Sequence, residues 1–150
     1  MTGRLHFTVH GTPAPQGSKR HVGRGVMVES SKLVKPWRQD VSAAARGAAT
    51  VAGWETPTAA VAVSLAFYLQ RPKGHHGTGR NADNLRPSAP TYPAVKPDLD
   101  KLVRSTLDAL TTAGVIRDDA QVVRLEARKQ YAGLVFTGTG AVIDVQTLTD

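Results

Sequence analysis

The chemistry in this chain is concentrated in four aspartates. Asp98 and Asp100 lie in Lys96-Pro97-Asp98-Leu99-Asp100-Lys101-Leu102-Val103-Arg104, and Asp118-Asp119 follows beyond Gly114. Acids at a helix start can cap orphan N–H groups and favour the helix dipole, which explains one of the first pair without any chemistry. A meeting of Asp98, Asp100 and Asp119 would be different. Three carboxylates within about 4 Å repel by several kcal/mol at an effective dielectric near 20, so a cation would have to hold them. All-oxygen donors without His or Cys select Mg²⁺ or Mn²⁺. Aspartate-held ions of this kind hydrolyse phosphodiesters by activating water and stabilising the leaving oxygen. Arg104, four residues after Asp100, shares its helix flank and suits either orientation of that carboxylate, stabilisation of developing charge, or a plain surface ion pair. Lys129 shares parity with Leu125 and Ala127, so its stem faces the covered side of a strand, where an anion is expected or the ammonium snorkels out.

These residues need elements to position them. Asp98–Ala113 carries Leu99, Leu102, Val103, Thr106, Leu107 and Leu110 on one stripe, a helix ended by Gly114. At about 1.5 Å per residue it spans roughly 24 Å, and the spacing leaves open whether Asp119 returns to Asp98 and Asp100. Arg4–His10, Ala59–Leu69, Gln121–Tyr131 and Ala141–Thr147 alternate as strands. The second has small residues opposite its apolar face, which predicts a central strand covered on both sides. An alanine-rich helix is expected over Trp37–Ala52, with Pro36 in its first turn and Gly53 at its end. The order β-α-β-α-β-β predicts a single α+β domain with a mixed sheet and two main helices. Residues 11–25 and 70–96 read as two loops without regular structure.

The chain has 150 residues, no cysteine and a formal charge of +7. Absent cysteines exclude disulfide scaffolds, thiolate metal sites and cysteine catalysis. No apolar run approaches a membrane span and no signal-peptide core is visible, so a cytoplasmic location is expected and no membrane partner. Residues 1–96 hold 13 Lys/Arg against 4 Asp/Glu, or +9, whereas 97–150 hold 6 against 8, or −2. The basic part predicts a polyanionic partner. Its contacts are expected from Lys19, Arg20 and Arg24 in the first loop and from Arg71, Lys73, Arg80, Arg86 and Lys96 in the second, with Lys101 alongside. His75-His76 suits solvent or phosphate better than a metal. Trp37 and Trp54 suit packing better than base stacking.

The string Lys96-Pro97-Asp98-Leu99-Asp100-Lys101-Leu102, then Leu107-Asp108-Ala109-Leu110, then Asp118-Asp119-Ala120-Gln121-Val122-Val123 with Lys129, closely resembles the RusA family of Holliday-junction resolvases, small nucleases frequent in phages and prophages. The resemblance extends over roughly residues 4–146 and is most specific over 96–129. It implies a dimeric α+β endonuclease of the bacterial or phage-infected cytoplasm that nicks four-way DNA junctions with Mg²⁺ or Mn²⁺ and no organic cofactor. By motif position, Asp98, Asp100 and Asp119 correspond to converging catalytic, metal-binding aspartates, with Arg104 and Lys129 as further catalytic candidates and Asp118 a weaker one. Two positions depart from a member of the family: Lys101 stands where that member has an asparagine and Arg104 where it has a lysine, and arginine keeps the charge without readily donating a proton. Two other readings compete. In one, Pro97-Asp98 and Glu126-Ala127-Arg128 form a restriction-type site. In the other, the chain is a non-enzymatic nucleic-acid-binding module whose acids are caps and turns.

Overall fold

In the computed structural model of the chain, residues 3–17, 32–133 and 136–149 are described in full, and residues 19–21 and 27–29 by backbone alone. Among the described residues, six strands and two α-helices follow in order: β1 (Arg4–His10), β2 (Lys19–His21), β3 (Met27–Glu29), α1 (Val34–Ala52), β4 (Val61–Leu69), α2 (Leu99–Thr112), β5 (Val122–Tyr131) and β6 (Gly140–Thr147). The main sheet has the order β1-β6-β4-β5, with β4 parallel to β5 and antiparallel to β6. The predicted α+β order is therefore found, with each main element within three residues of its expected bounds.

Both helices cover one sheet face. Leu5, Phe7 and Val9 of β1, Val61, Val63, Leu65 and Phe67 of β4, and Ala141, Ile143 and Val145 of β6 point into this core. The alternation read from sequence is the alternation of burial. The helices run in the same direction, joined by Trp37 Nε1 donating to Thr106 Oγ1 (3.1 Å) and Ser42 Oγ donating to the Ala109 carbonyl (3.2 Å). Trp37 is fully buried, so it is core, and Trp54 donates its indole N–H to the Val115 carbonyl at 3.0 Å.

Two expectations fail. β4 is central, but it is not covered on both sides. Ala62, Ser64 and Ala66 floor a hollow of about 620 Å³ on the free face, rimmed by Arg4, Arg124, Glu126, Arg128 and Asp144. The small side chains lower this floor; among the described residues it is covered near Tyr68, where Phe136 packs with Tyr68 and Ala66, and is open along Ala62 and Ser64. Residues 11–25 are not wholly irregular either, because β2 and β3 pair as an antiparallel ladder, Lys19 to Glu29 through His21 to Met27. A three-residue ladder is too short to leave a periodic signal among so many glycines and basic residues.

The connections divide by length between the two ends of the sheet. His10 pairs with Gly140, Gly140 with Tyr68, and Leu69 with Tyr131. The two long connections, which leave β1 and β4, start from this end, as does the eight-residue connection from β5 to β6; the same end holds the N-terminus of α2, reached by the connection from β4. The opposite end has only the connections 53–60 and 113–121. Gly140 lets β1 close on β6, since a Cβ there would collide with the Val9 carbonyl.

Candidate active site

Asp98 occupies the N-cap of α2 and Asp100 its first turn. The Asp98 carboxylate makes no capping hydrogen bond. Its partner is instead the Lys101 ammonium at 3.4 Å, in a half-exposed pair. The capping explanation therefore accounts for the position of Asp98 and not for the pairing of its carboxylate with Lys101. Asp100 is exposed beside it.

The segment leading into Asp98 is held from the sheet. Lys129 Nζ donates to the Val95 carbonyl (2.5 Å) and to the Pro97 carbonyl (2.9 Å). The anion expected for this ammonium is replaced by two carbonyl dipoles. Lys129 thus fixes the backbone that presents the carboxylate one residue later, and it acts through position. Arg104 makes no ion pair with Asp100 among the described residues. Its guanidinium lies against Gly17, where a Cβ would stand 3.0 Å from Nη1, and the left-handed backbone (φ 106°) independently favours glycine there. The stretch 14–17 is docked on α2 by Ser105 Oγ donating to the Ala14 carbonyl (2.6 Å) and Gln16 N donating to the Lys101 carbonyl (3.1 Å).

Asp119 lies elsewhere. Thr111, in the last turn of α2, donates its hydroxyl to Asp119 Oδ1 at 3.0 Å. From Leu99 to Thr111 the helix rises about 18 Å. The three acids therefore do not converge within one chain, contrary to the convergence that the family resemblance implied. The helix length that left the question open is the reason. Among the described residues, no three acids or histidines come together in a way that could hold a metal ion. The donors have the right chemistry for a hard divalent cation, but a single chain divides them between two ends.

The Asp119 end has its own electrostatics. A hollow of about 330 Å³ is lined by Arg38, Asp108, Thr111, Thr112, Asp118 and Asp119. Asp119 is held above its ordinary value, chiefly by burial, with the charges of Asp108 and Asp118 and a hydrogen bond with Asp108 adding to the effect; the Thr111 hydroxyl opposes it. Asp118 is occupied as a local cap, accepting from the Ala120 N–H at 2.8 Å.

Two residues here escaped the sequence reading. Asp108 accepts a hydrogen bond from Gln16 Nε2 at 2.5 Å. Gln121 clips the whole turn: its Oε1 accepts from the N–H groups of Arg117 (2.7 Å) and Asp118 (3.3 Å), and its Nε2 donates to the carbonyls of Pro57 (2.8 Å) and Ala59 (2.9 Å). The Asp118-x-x-Gln121 spacing is a capping-box signal that would have found it.

The basic positions separate in the same way. Lys73, Arg80 and Lys96 are exposed and make no ion pair among the described residues. Arg71 and Arg86 are engaged inside their loop, donating to the carbonyls of Pro90 (2.6 Å) and His76 (2.7 Å). Arg24 and the side chains of Lys19 and Arg20 lie outside the described residues. His75 packs edge-on against Tyr131, so it is part of the loop's packing. Glu126 lines the hollow on the free sheet face, opposite the face covered by α2, and a restriction-type pairing with Asp98 is not formed. No helix among the described residues is long and apolar enough to cross a membrane.

The sequence model of the family described as Endodeoxyribonuclease RusA matches residues 10–138. No individual curated protein matches the chain.

Proposed function

Since the chain belongs to the RusA family of endodeoxyribonucleases, we propose that it resolves four-way DNA junctions by paired symmetric nicks, using Mg²⁺ or Mn²⁺, as a homodimer in a bacterial or phage-infected cytoplasm. The observation that carries this reading is the Asp98–Asp100 pair at the start of α2, where the Asp98 carboxylate makes no capping bond and the leading segment is clamped by Lys129. Asp98 and Asp100 would hold the ion at one end of α2, and Asp119 at the other. A metal bound there would supply an activated water and stabilise the leaving oxygen.

The separation of these acids favours the dimer. β5 is an edge strand of the main sheet, and Val123 and Leu125 on it are 64% and 46% exposed, with Val95 59% exposed nearby in sequence to Asp98. A two-fold axis beside this edge would lay two α2 helices antiparallel and bring Asp119 of the partner subunit toward Asp98 and Asp100. Each half-site would then be completed by the other chain, and the two completed sites would suit the two-fold symmetry of a junction. Lys73, Arg80, Lys96 and the basic 19–24 segment would bind backbone phosphates without reading sequence.

The test is cleavage of a synthetic four-way junction and a linear duplex, with Mg²⁺ or EDTA, by the protein and by Asp100→Asn. Paired nicks in the junction that vanish with EDTA and in Asp100→Asn are expected. Junction binding without cleavage in either Mg²⁺ or Mn²⁺ would overturn the enzyme reading in favour of a binding module. Mixing Asp100→Asn with Asp119→Asn tests the shared site. Each variant alone is expected to be inactive, and the mixture to recover nicking through heterodimers carrying one intact site. No recovery in a mixture shown to exchange subunits would overturn the shared site.

A further inference from the structure

At the end of the sheet near Asp98, a hollow of about 290 Å³ is lined by Tyr68, Arg71, Tyr92, Gln130, Tyr131 and Phe136 among others. Most of its aromatic faces are already in use. Tyr68 stacks on Phe136 with centroids 4.4 Å apart and planes 7° apart, and the Arg71 guanidinium lies 4.4 Å over Tyr131. Tyr92 is the exception. It is 69% exposed and has no ring or cation partner among the described residues.

Its backbone is nonetheless held on both sides. Arg71 donates to the Pro90 carbonyl, the Ala94 N–H donates to the Tyr92 carbonyl at 2.9 Å, and Lys129 grips the Val95 and Pro97 carbonyls. A large aromatic ring kept in water on an anchored backbone is ready to cover something flat at little entropic cost. No acid lines the hollow, while Arg71 does, and Lys73 and Lys96 are exposed on the same connection. The occupant should therefore be planar and belong to an anion. The volume admits one heterocycle and no duplex. Tyr131 stands two residues beyond Lys129, about 7 Å along the strand, so the hollow adjoins the segment that delivers Asp98.

We infer that this hollow captures one unpaired nucleobase of the strand cut at Asp98 and Asp100, stacking it on Tyr92 and offering Gln130 to its edge. Every base has a π-face, so stacking tolerates sequence, while a side-chain amide adds preference. A base at a branch point has lost part of its stack, and drawing it out costs less than from a duplex. The inference rests on the nuclease reading and adds the substrate feature held beside the scissile phosphate.

The experiment uses the cleavage-blocked Asp100→Asn protein and four-way junctions with 2-aminopurine placed in turn at each position around the branch. A fluorescence change at one position, absent with paired duplex, is expected. Adding Tyr92→Ala should abolish that signal and weaken junction binding about tenfold, whereas Tyr92→Phe should preserve both. Thermal melting of each variant verifies folding, and the exposed ring makes loss of fold unexpected. An unchanged signal and affinity in Tyr92→Ala would overturn the inference. So would a silent probe at every position on a junction that is bound and, with Asp100 restored, cut. In that case the nuclease reading stands. A protein that binds no junction at all would remove both.

Discussion

Replacing Lys129 with methionine keeps the stem and removes the ammonium that grips the Val95 and Pro97 carbonyls. A hydrogen bond to a charged group contributes about 1.5–3 kcal/mol, and exposure of the Val95 contact reduces its share, so the pair is worth about 2 kcal/mol. In a chain of this length, that lowers the melting temperature by about 4–8 °C. If the clamp is what holds Asp98 in place, the same energy corresponds to about a 30-fold loss in single-turnover nicking. Junction affinity, spread over many phosphate contacts, should change much less. Lys129→Arg can still donate to both carbonyls and is expected to recover most of the rate. Gel-resolved single-turnover cleavage, anisotropy binding and thermal melting separate these quantities. Wild-type melting and wild-type nicking in Lys129→Met would refute the clamp. Lost nicking in both variants with unchanged melting would mean that Lys129 acts on the substrate itself.

Three further outcomes follow from the described contacts. The fold holds Asp119 above its ordinary value of 3.8, so its ionisation opposes folding at neutral pH and the penalty fades as pH falls through the raised value. In EDTA, Asp119→Asn should therefore melt no lower than wild type at pH 7, with the difference closing below about pH 4; clear destabilisation at pH 7 would count against it. Gln121→Leu strands four backbone groups at the Asp118–Asp119 turn, and chemical denaturation should report a loss of about 2 kcal/mol, since most of these groups remain open to water. Trp37→Ala empties a fully buried site and removes a bond to Thr106, which should cost about 3–5 kcal/mol by the same measurement.

The main elements were legible because each has one apolar face. Leu5, Phe7 and Val9 alternate in burial as they alternate in sequence, and the Leu99–Leu110 stripe faces the sheet. The β2–β3 ladder was hidden because three residues are too few for a period, and its glycine-rich surroundings signal a turn. At the site, the sequence identified the acids and Lys129 but not their grouping. Proximity along the chain joined Asp98 to Asp100, whereas the relation of Asp119 to them depended on how far the chain travels along α2 before it turns. The partner of Lys129 was also invisible, since a backbone carbonyl has no residue type to announce it. The open sheet face was misread for a related reason: small side chains favour close coverage but do not supply the layer that covers them.

The sorting of connections by length has a consequence for how such a chain can diversify. Two of the three main-sheet strands that run toward the Asp98 end, β1 and β4, continue into long connections, so residues can be inserted or exchanged there without shifting the register of any strand. The Asp119 end has no such freedom, because Gln121 ties its short turn to the carbonyls of Pro57 and Ala59. One end can therefore be regrafted to suit a new DNA shape, while the other keeps its geometry.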